Sequence, residues 1–178
     1  IVNGGSPLRG ALRVQGAKNS VLPILASAYL TNGESVLHNC PELSDVQAAC
    51  RILRMLGCHT EITGGTIRVL PDGAAGTFIP AADMCEMRSS IIFLGAILAR
   101  TGTARLSAPG GCDLGPRPID LHLYALRRMG AVIRETQGQL VCSAPDEFSP
   151  LFGKELISQK ICRTVVMGGS FYGEQPFS

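Results

Sequence analysis

The stretch PGGCDLGPRPIDLH, residues 109 to 122, sets a single thiol, Cys112, behind two glycines and ahead of Arg117, which stands between two prolines. Paired glycines open backbone angles closed to other residues and leave amide N–H groups uncovered, so such a loop can approach an anion closely. The guanidinium of Arg117 offers a planar fork of donors that fits a phosphate or carboxylate, and Pro118 restricts the backbone beside it. A nearby cation also favours the thiolate, from a reference pKa of about 8.5. Together these residues describe a loop that brings an acidic or nucleophilic sulfur to an anionic substrate. Spacing alone equally fits a plain connector, with Asp120 as a first-turn charge favoured by the helix dipole and His122 as a polar residue on a helix face.

Two more places carry charge where chemistry needs it. In QGAKNS, residues 15 to 20, Lys18 and Asn19 follow a strand-like stretch and open a helix-like one. Orphan N–H groups and the positive end of the dipole favour anions there, although a solvated lysine is the plain alternative. In MRSS, Arg88 opens an apolar helical stretch, where a charge is costly unless a partner meets it.

The elements that must position these residues follow from the apolar periods. Residues 11–15 (ALRVQ) read as a strand, 18–30 as a helix with Pro23 in its early turns, and 35–38 as a strand. Residues 44–56 read as a helix with Ser44 as N-cap and Gly57 as its stop, and HTEIT, Gly64–Gly65 and TIRVL read as a hairpin. The programme then recurs: a helix over 84–100, a strand over 103–107, a helix over 118–129 with Pro118 at its first position, and a hairpin from AVIRE and QLVCS. RILRMLGCHTEITGGTIRVL and YALRRMGAVIRETQGQLVCS are thus two copies of one unit. Gly33 aligns with Gly102 and Gly57 with Gly130, so the second copy is longer by four residues, and the insertion falls in the loop holding Cys112. An enlarged loop in one copy of a repeat is where function tends to sit.

Composition sets the background. The chain has 178 residues, 46% of them hydrophobic, enough for one core or two small lobes sharing one. Its 16 basic and 14 acidic residues are balanced and dispersed, which argues against a nucleic-acid partner. No apolar run has the length of a membrane span, and no secretory leader is recognised, so neither a membrane nor a secreted protein is expected. The chain begins at Ile1, from which the first residues of the natural protein are expected to be missing. The seven cysteines include no CxxC pair and no metal-type spacing with histidine, so reduced thiols in the cytoplasm are expected, with no metal. Five of the nine aromatic residues lie beyond residue 146, where the periodicity fades.

Taken together, GGSPLRGALRVQGAKNSVLPILASAYL, CPELSDV, MRSSIIFLGAILAR and PGGCDLGPRPIDLHLYALRRMGA resemble the UDP-N-acetylglucosamine enolpyruvyl transferases, with the motifs in family order from about Gly4 to Ala144. The resemblance implies an α/β fold, an inside-out α/β barrel whose two lobes each hold three βαβαββ units, of which about two are present here. It implies transfer of the enolpyruvyl group of phosphoenolpyruvate to the sugar 3-hydroxyl of UDP-N-acetylglucosamine, the first committed step of peptidoglycan synthesis, with no cofactor. By position, Cys112 matches the mobile-loop cysteine, proposed in the family as a proton donor or adduct site and the thiol alkylated by fosfomycin. Lys18 matches the lysine that contacts phosphoenolpyruvate and helps close the lobes, and Asn19 the asparagine on the sugar nucleotide. Arg88 and Arg117 match arginines on substrate anions. Pro118, Asp120 and Leu121 match the segment along the uridine, with His122 as their neighbour.

The departures matter too. Family members are more than twice as long, and their second lobe supplies a general-base aspartate and a further arginine that have no counterpart here. The segment FSPLFGKELISQKICRTVVMGGSFYGEQPFS carries no family motif. The expected organisation is an N-terminal strand segment over 1–17, a first lobe over 18–146 with repeats about 18–72 and 80–145, and an unassigned tail over 147–178. A truncated or incomplete transferase with little or no turnover alone is expected, and its unpaired lobe face leads to an expectation of self-association. Three rivals remain: a non-catalytic sugar-nucleotide-binding remnant, the sister transferase acting on shikimate 3-phosphate, which lacks the cysteine loop, and a redox sensor at Cys112, which would need a resolving thiol.

Overall fold

Apolar residues recur every third or fourth position in SDVQAACRILRM and every second in TIRVLP, and the chain folds as those two periods dictate. The computed structural model describes residues 9–12, 14–87, 89–107 and 119–144. In chain order these form α1 (Lys18–Ala28), β1 (Ser35–Leu37), α2 (Ser44–Met55), β2 (Cys58–Thr63), β3 (Thr66–Pro71), β4 (Phe78–Ile79), α3 (Ala81–Glu86), α4 (Ile92–Thr101), β5 (Thr103–Ser107), α5 (Asp120–Arg128), β6 (Val132–Thr136) and β7 (Gln139–Ser143).

Two left-handed turns close the hairpins. Gly64 and Gly65 have φ of 54° and 75°, and Gln137 and Gly138 have 50° and 70°, the geometry that matches the twist of antiparallel strands. Thr63 therefore sits opposite Thr66, and Thr136 opposite Gln139. The first sheet has the order β1-β3-β2 and the second β4-β5-β7-β6. Matching β1 with β5, β2 with β6 and β3 with β7 gives one topology twice, the repeat expected from the sequence. The second sheet adds β4, which pairs in parallel with β5.

Each sheet turns one face to the helices and the other to solvent. In β3, Ile67 and Val69 are buried while Arg68 and Leu70 are exposed. α4 is buried continuously from Ile92 to Leu98, as a helix apolar all round must be. α1 packs against both α2 and α4, and the core draws on both units, with Leu25, Ile52, Phe93 and Ile97 fully buried. Arg100 ties the units together: its guanidinium lies 4.8 Å over the Tyr29 ring and donates to the carbonyls of Tyr29 and Thr31.

Four expectations are corrected. The described residues of ALRVQ form no strand; Leu12 and Val14 are instead 90% and 79% exposed, because alternation becomes a strand only when a neighbour takes its hydrogen bonds. Ser44 is the first residue of α2, Leu43 holds the cap position, and no side-chain cap is made. The helix over 84–100 is two helices, parted where Met87 is extended and the Ser90 hydroxyl donates to the Met84 carbonyl at 3.1 Å. The last helix starts at Asp120, and Pro118 lies outside the described residues. Among the described residues no helix is long and apolar enough to cross a membrane.

Candidate functional site

Lys18 is the first residue of α1, and Ala17 in the cap position brings no side-chain acceptor to the helix start. The N-terminal amide groups and the positive dipole end are thus met by no protein carboxylate from within the first turn. A carboxylate arrives from elsewhere: Asp45, in the first turn of α2, places Oδ2 at 2.7 Å from Lys18 Nζ. The lysine side chain is 48% exposed and the aspartate 21%, so one side of the ammonium is held and the other faces solvent.

Backbone contact fixes this arrangement. A Cβ built on Gly16 would stand 2.1 Å from the carbonyl oxygen of Asn39, so the chain entering α1 lies directly on the loop leading to α2. Asn39 itself has φ of 56°, a left-handed conformation that asparagine tolerates better than most residues. GAKN and NCPELSD are therefore two halves of one packed corner. Asn19, beside Lys18, is exposed.

The other candidates sit apart. Asp120 opens α5 and is exposed, Leu121 is 75% exposed, and His122 is half-buried. Arg88, Cys112, Arg117 and Pro118 lie outside the described residues, so the structure gives no distance from any of them to Lys18. Between α3 and α4, Met87 and Ser90 are buried. Across from that break Arg51 of α2 pairs with Glu86 at the end of α3. Two residues of this region were not singled out from the sequence: Asp45, whose pairing depends on packing between α1 and α2, and Gly16, whose role is a close backbone approach. The one available signal was that Asp45 stands within CPELSDV.

The thiols divide by environment. Cys40, Cys50, Cys58, Cys85 and Cys142 are free. Desolvation pushes Cys50, Cys58 and Cys142 up from 9.0 to about 11, with nearby arginines opposing, and it also raises Cys40. Those four are held as neutral thiols and are poor nucleophiles near neutral pH. Cys112 and Cys162 lie outside the described residues. Among the described residues no group of three or more His, Cys, Asp or Glu side chains could hold a metal ion.

Comparison with known proteins bears on what this corner belongs to. The family described as EPSP synthase (3-phosphoshikimate 1-carboxyvinyltransferase) matches residues 2–149. The chain is 48% identical over 150 residues to UDP-N-acetylglucosamine 1-carboxyvinyltransferase 1 of Symbiobacterium thermophilum, covering 82% of this chain and 34% of that protein. It is also 48% identical over 141 residues to UDP-N-acetylglucosamine 1-carboxyvinyltransferase 2 of Caldanaerobacter subterraneus, covering 79% and 34%. The chain thus spans about a third of the length of the curated relatives it matches. Among solved structures, the enolpyruvyl transferase NikO of Streptomyces tendae aligns with a TM-score of 0.69 at 25% identity, over 93% of this chain and 39% of that one. An EPSP synthase of Acinetobacter baumannii shares the fold, with a TM-score of 0.56 at 19% identity over 76% of this chain and 32% of that one. With its repeated helix-and-hairpin units, its inside-out α/β architecture and a match over residues 2–149, the chain belongs to the EPSP synthase family of carboxyvinyl transferases.

Proposed function

We propose that this chain carries part of the site that transfers the enolpyruvyl group of phosphoenolpyruvate to the 3-hydroxyl of UDP-N-acetylglucosamine, releasing phosphate. The observation that carries the reading is the 48% identity over 150 residues to a protein of that name. The reaction adds the sugar oxygen to the central carbon of phosphoenolpyruvate, the hydroxyl proton passing to a base, and adds a proton to the terminal vinyl carbon. Loss of phosphate from the central carbon and of a proton from the terminal carbon then restores the double bond. Cys112 is assigned the proton at the vinyl carbon, a role that needs a protonated thiol within reach. Lys18, Arg88 and Arg117 are assigned the phosphate and carboxylate charges, which they stabilise as the C–O bond breaks. Asn19, Pro118, Asp120, Leu121 and His122 are assigned the sugar nucleotide. The product serves peptidoglycan synthesis, and so cell-wall growth and division, in the cytoplasm.

The organisation proposed with it is an N-terminal segment over 1–17, a first lobe over 18–146 and an unassigned, divergent tail over 147–178. A second reading rests on the same residues: a sugar-nucleotide-binding remnant without chemistry. The shikimate reading is less favoured, since the similar curated relatives act by name on UDP-N-acetylglucosamine and the loop with Cys112 is unneeded for it.

Intact-mass analysis after fosfomycin treatment, with and without UDP-N-acetylglucosamine, tests the proposal. One sugar-nucleotide-dependent adduct mapped to Cys112 is expected if the site assembles. No adduct, or labelling spread over several of the seven cysteines, defeats it. Retained UDP-N-acetylglucosamine affinity without product selects the remnant.

A further inference from the structure

We infer that Asp45 is the positioning residue of Lys18, holding its ammonium at the start of α1 so that the free side meets the anionic substrate. The inference rests on the reading of Lys18 as an anion contact. It is carried by the 2.7 Å contact between Lys18 Nζ and Asp45 Oδ2 and by the corner that enforces it. An unbound lysine side chain spreads over many rotamers, and ordering it on a ligand costs entropy. The contact with Asp45 orders part of that side chain before a ligand arrives. An ammonium has three donors, so a single contact to Oδ2 leaves donors for a phosphate or carboxylate oxygen.

Three features make the aspartate suited to the task. It lies in the first turn of α2, where the dipole of its own helix favours the negative charge. At 21% exposure it is more enclosed than its partner, so it forms the fixed side of the pair. The base of the pair is set by the Gly16 approach to the Asn39 carbonyl, leaving little room for α1 to slide along the loop before α2. The pair also cancels charge locally, so Lys18 is orienting as well as attracting. A carboxylate within reach of the same anion weakens long-range attraction while fixing where the ammonium points.

The test uses the full chain and acylation of lysine by an acetyl N-hydroxysuccinimide ester, read by peptide mass. Lys18 is the sole lysine before Lys154, and Lys154 and Lys160 serve as references for the reagent. Without ligand, Asp45→Asn is expected to raise the Lys18 labelling rate about threefold relative to both references, and Asp45→Glu to restore it. With phosphoenolpyruvate, and separately with inorganic phosphate, the native chain is expected to protect Lys18. The concentration for half-protection should rise at least about fivefold in Asp45→Asn. Protection of the native chain with unchanged half-protection in Asp45→Asn overturns the positioning role while leaving Lys18 as an anion contact. Half-protection at lower concentration in Asp45→Asn also overturns it, since the aspartate would then be a competitor. Absence of protection by either anion in the native chain removes the reading of Lys18 and the inference with it. Protection by phosphoenolpyruvate but not by inorganic phosphate keeps the inference and assigns the contact to the organic anion.

Discussion

At the scale of single residues, burial sets the chemistry of the thiols. Cys50, Cys58 and Cys142 are raised to about 11 and Tyr29 to about 12, in each case chiefly by desolvation. Because these groups hold their protons longer in the folded chain than in the unfolded one, the unfolded state binds fewer protons between the two pKa values. Stability is therefore whole below pH 9 and falls as pH rises toward 11, with Tyr29 adding a further loss between 10 and 12. Each buried thiol accounts for roughly 2 kcal/mol over that window. Urea denaturation at stepped pH measures it, and Cys142→Ala should flatten the slope. Gly16 gives a second prediction. A methyl there meets the Asn39 carbonyl at 2.1 Å, backbone against side chain, so Gly16→Ala should destabilise by about 2 kcal/mol and increase Lys18 labelling. An unchanged melting temperature would contradict the corner as described.

At the scale of elements, α4 is the central support. Phe93 is fully buried in a helix with no solvent face from Ile92 to Leu98, so Phe93→Ala should cost about 3 to 5 kcal/mol, measured by urea denaturation. The second hairpin has room for improvement: Gln137 holds φ of 50° where the first hairpin uses Gly64, and Gln137→Asn should stabilise by about 0.5 kcal/mol. The hairpins, α1, α2 and β5 were legible because each is specified by its own period and turn residues. The break at Met87 was not, since MCEMRSSIIFLGAILAR is apolar enough to read as one helix and the closure by Ser90 onto Met84 is a contact, not a pattern. The strand expected in ALRVQ failed for the converse reason: its pattern is right, but no described strand pairs with it. The place of Lys18 at a helix start was legible from the sequence. Asp45 was not, because the residues lie on different helices and meet only when α1 packs on α2.

At the scale of the molecule, two units share one core and one sheet order, and both ends of each sheet are open among the described residues. Short edges and charges such as Glu61 on β2 and Arg134 and Glu135 on β6 discourage pairing with other chains. Leu12 and Val14, and on α5 Leu121 and Tyr124, are exposed, and self-association through such side chains is proposed. Sedimentation equilibrium should show mass rising with concentration, and a clean monomer would reject this. The parallel pairing of β4 with β5 carries a consequence for how the chain reaches its fold. β6 and β7 meet across a two-residue turn, whereas β4 and β5 are parted by α3 and α4, whose closure costs far more chain entropy for only the pairs Phe78 with Arg105 and Ile79 with Leu106. In refolding followed by pulsed hydrogen exchange, amides of the β6–β7 hairpin should gain protection first. The β4 amides should be the slowest of the second sheet, making that strand the latch that fastens after the rest of the unit has formed.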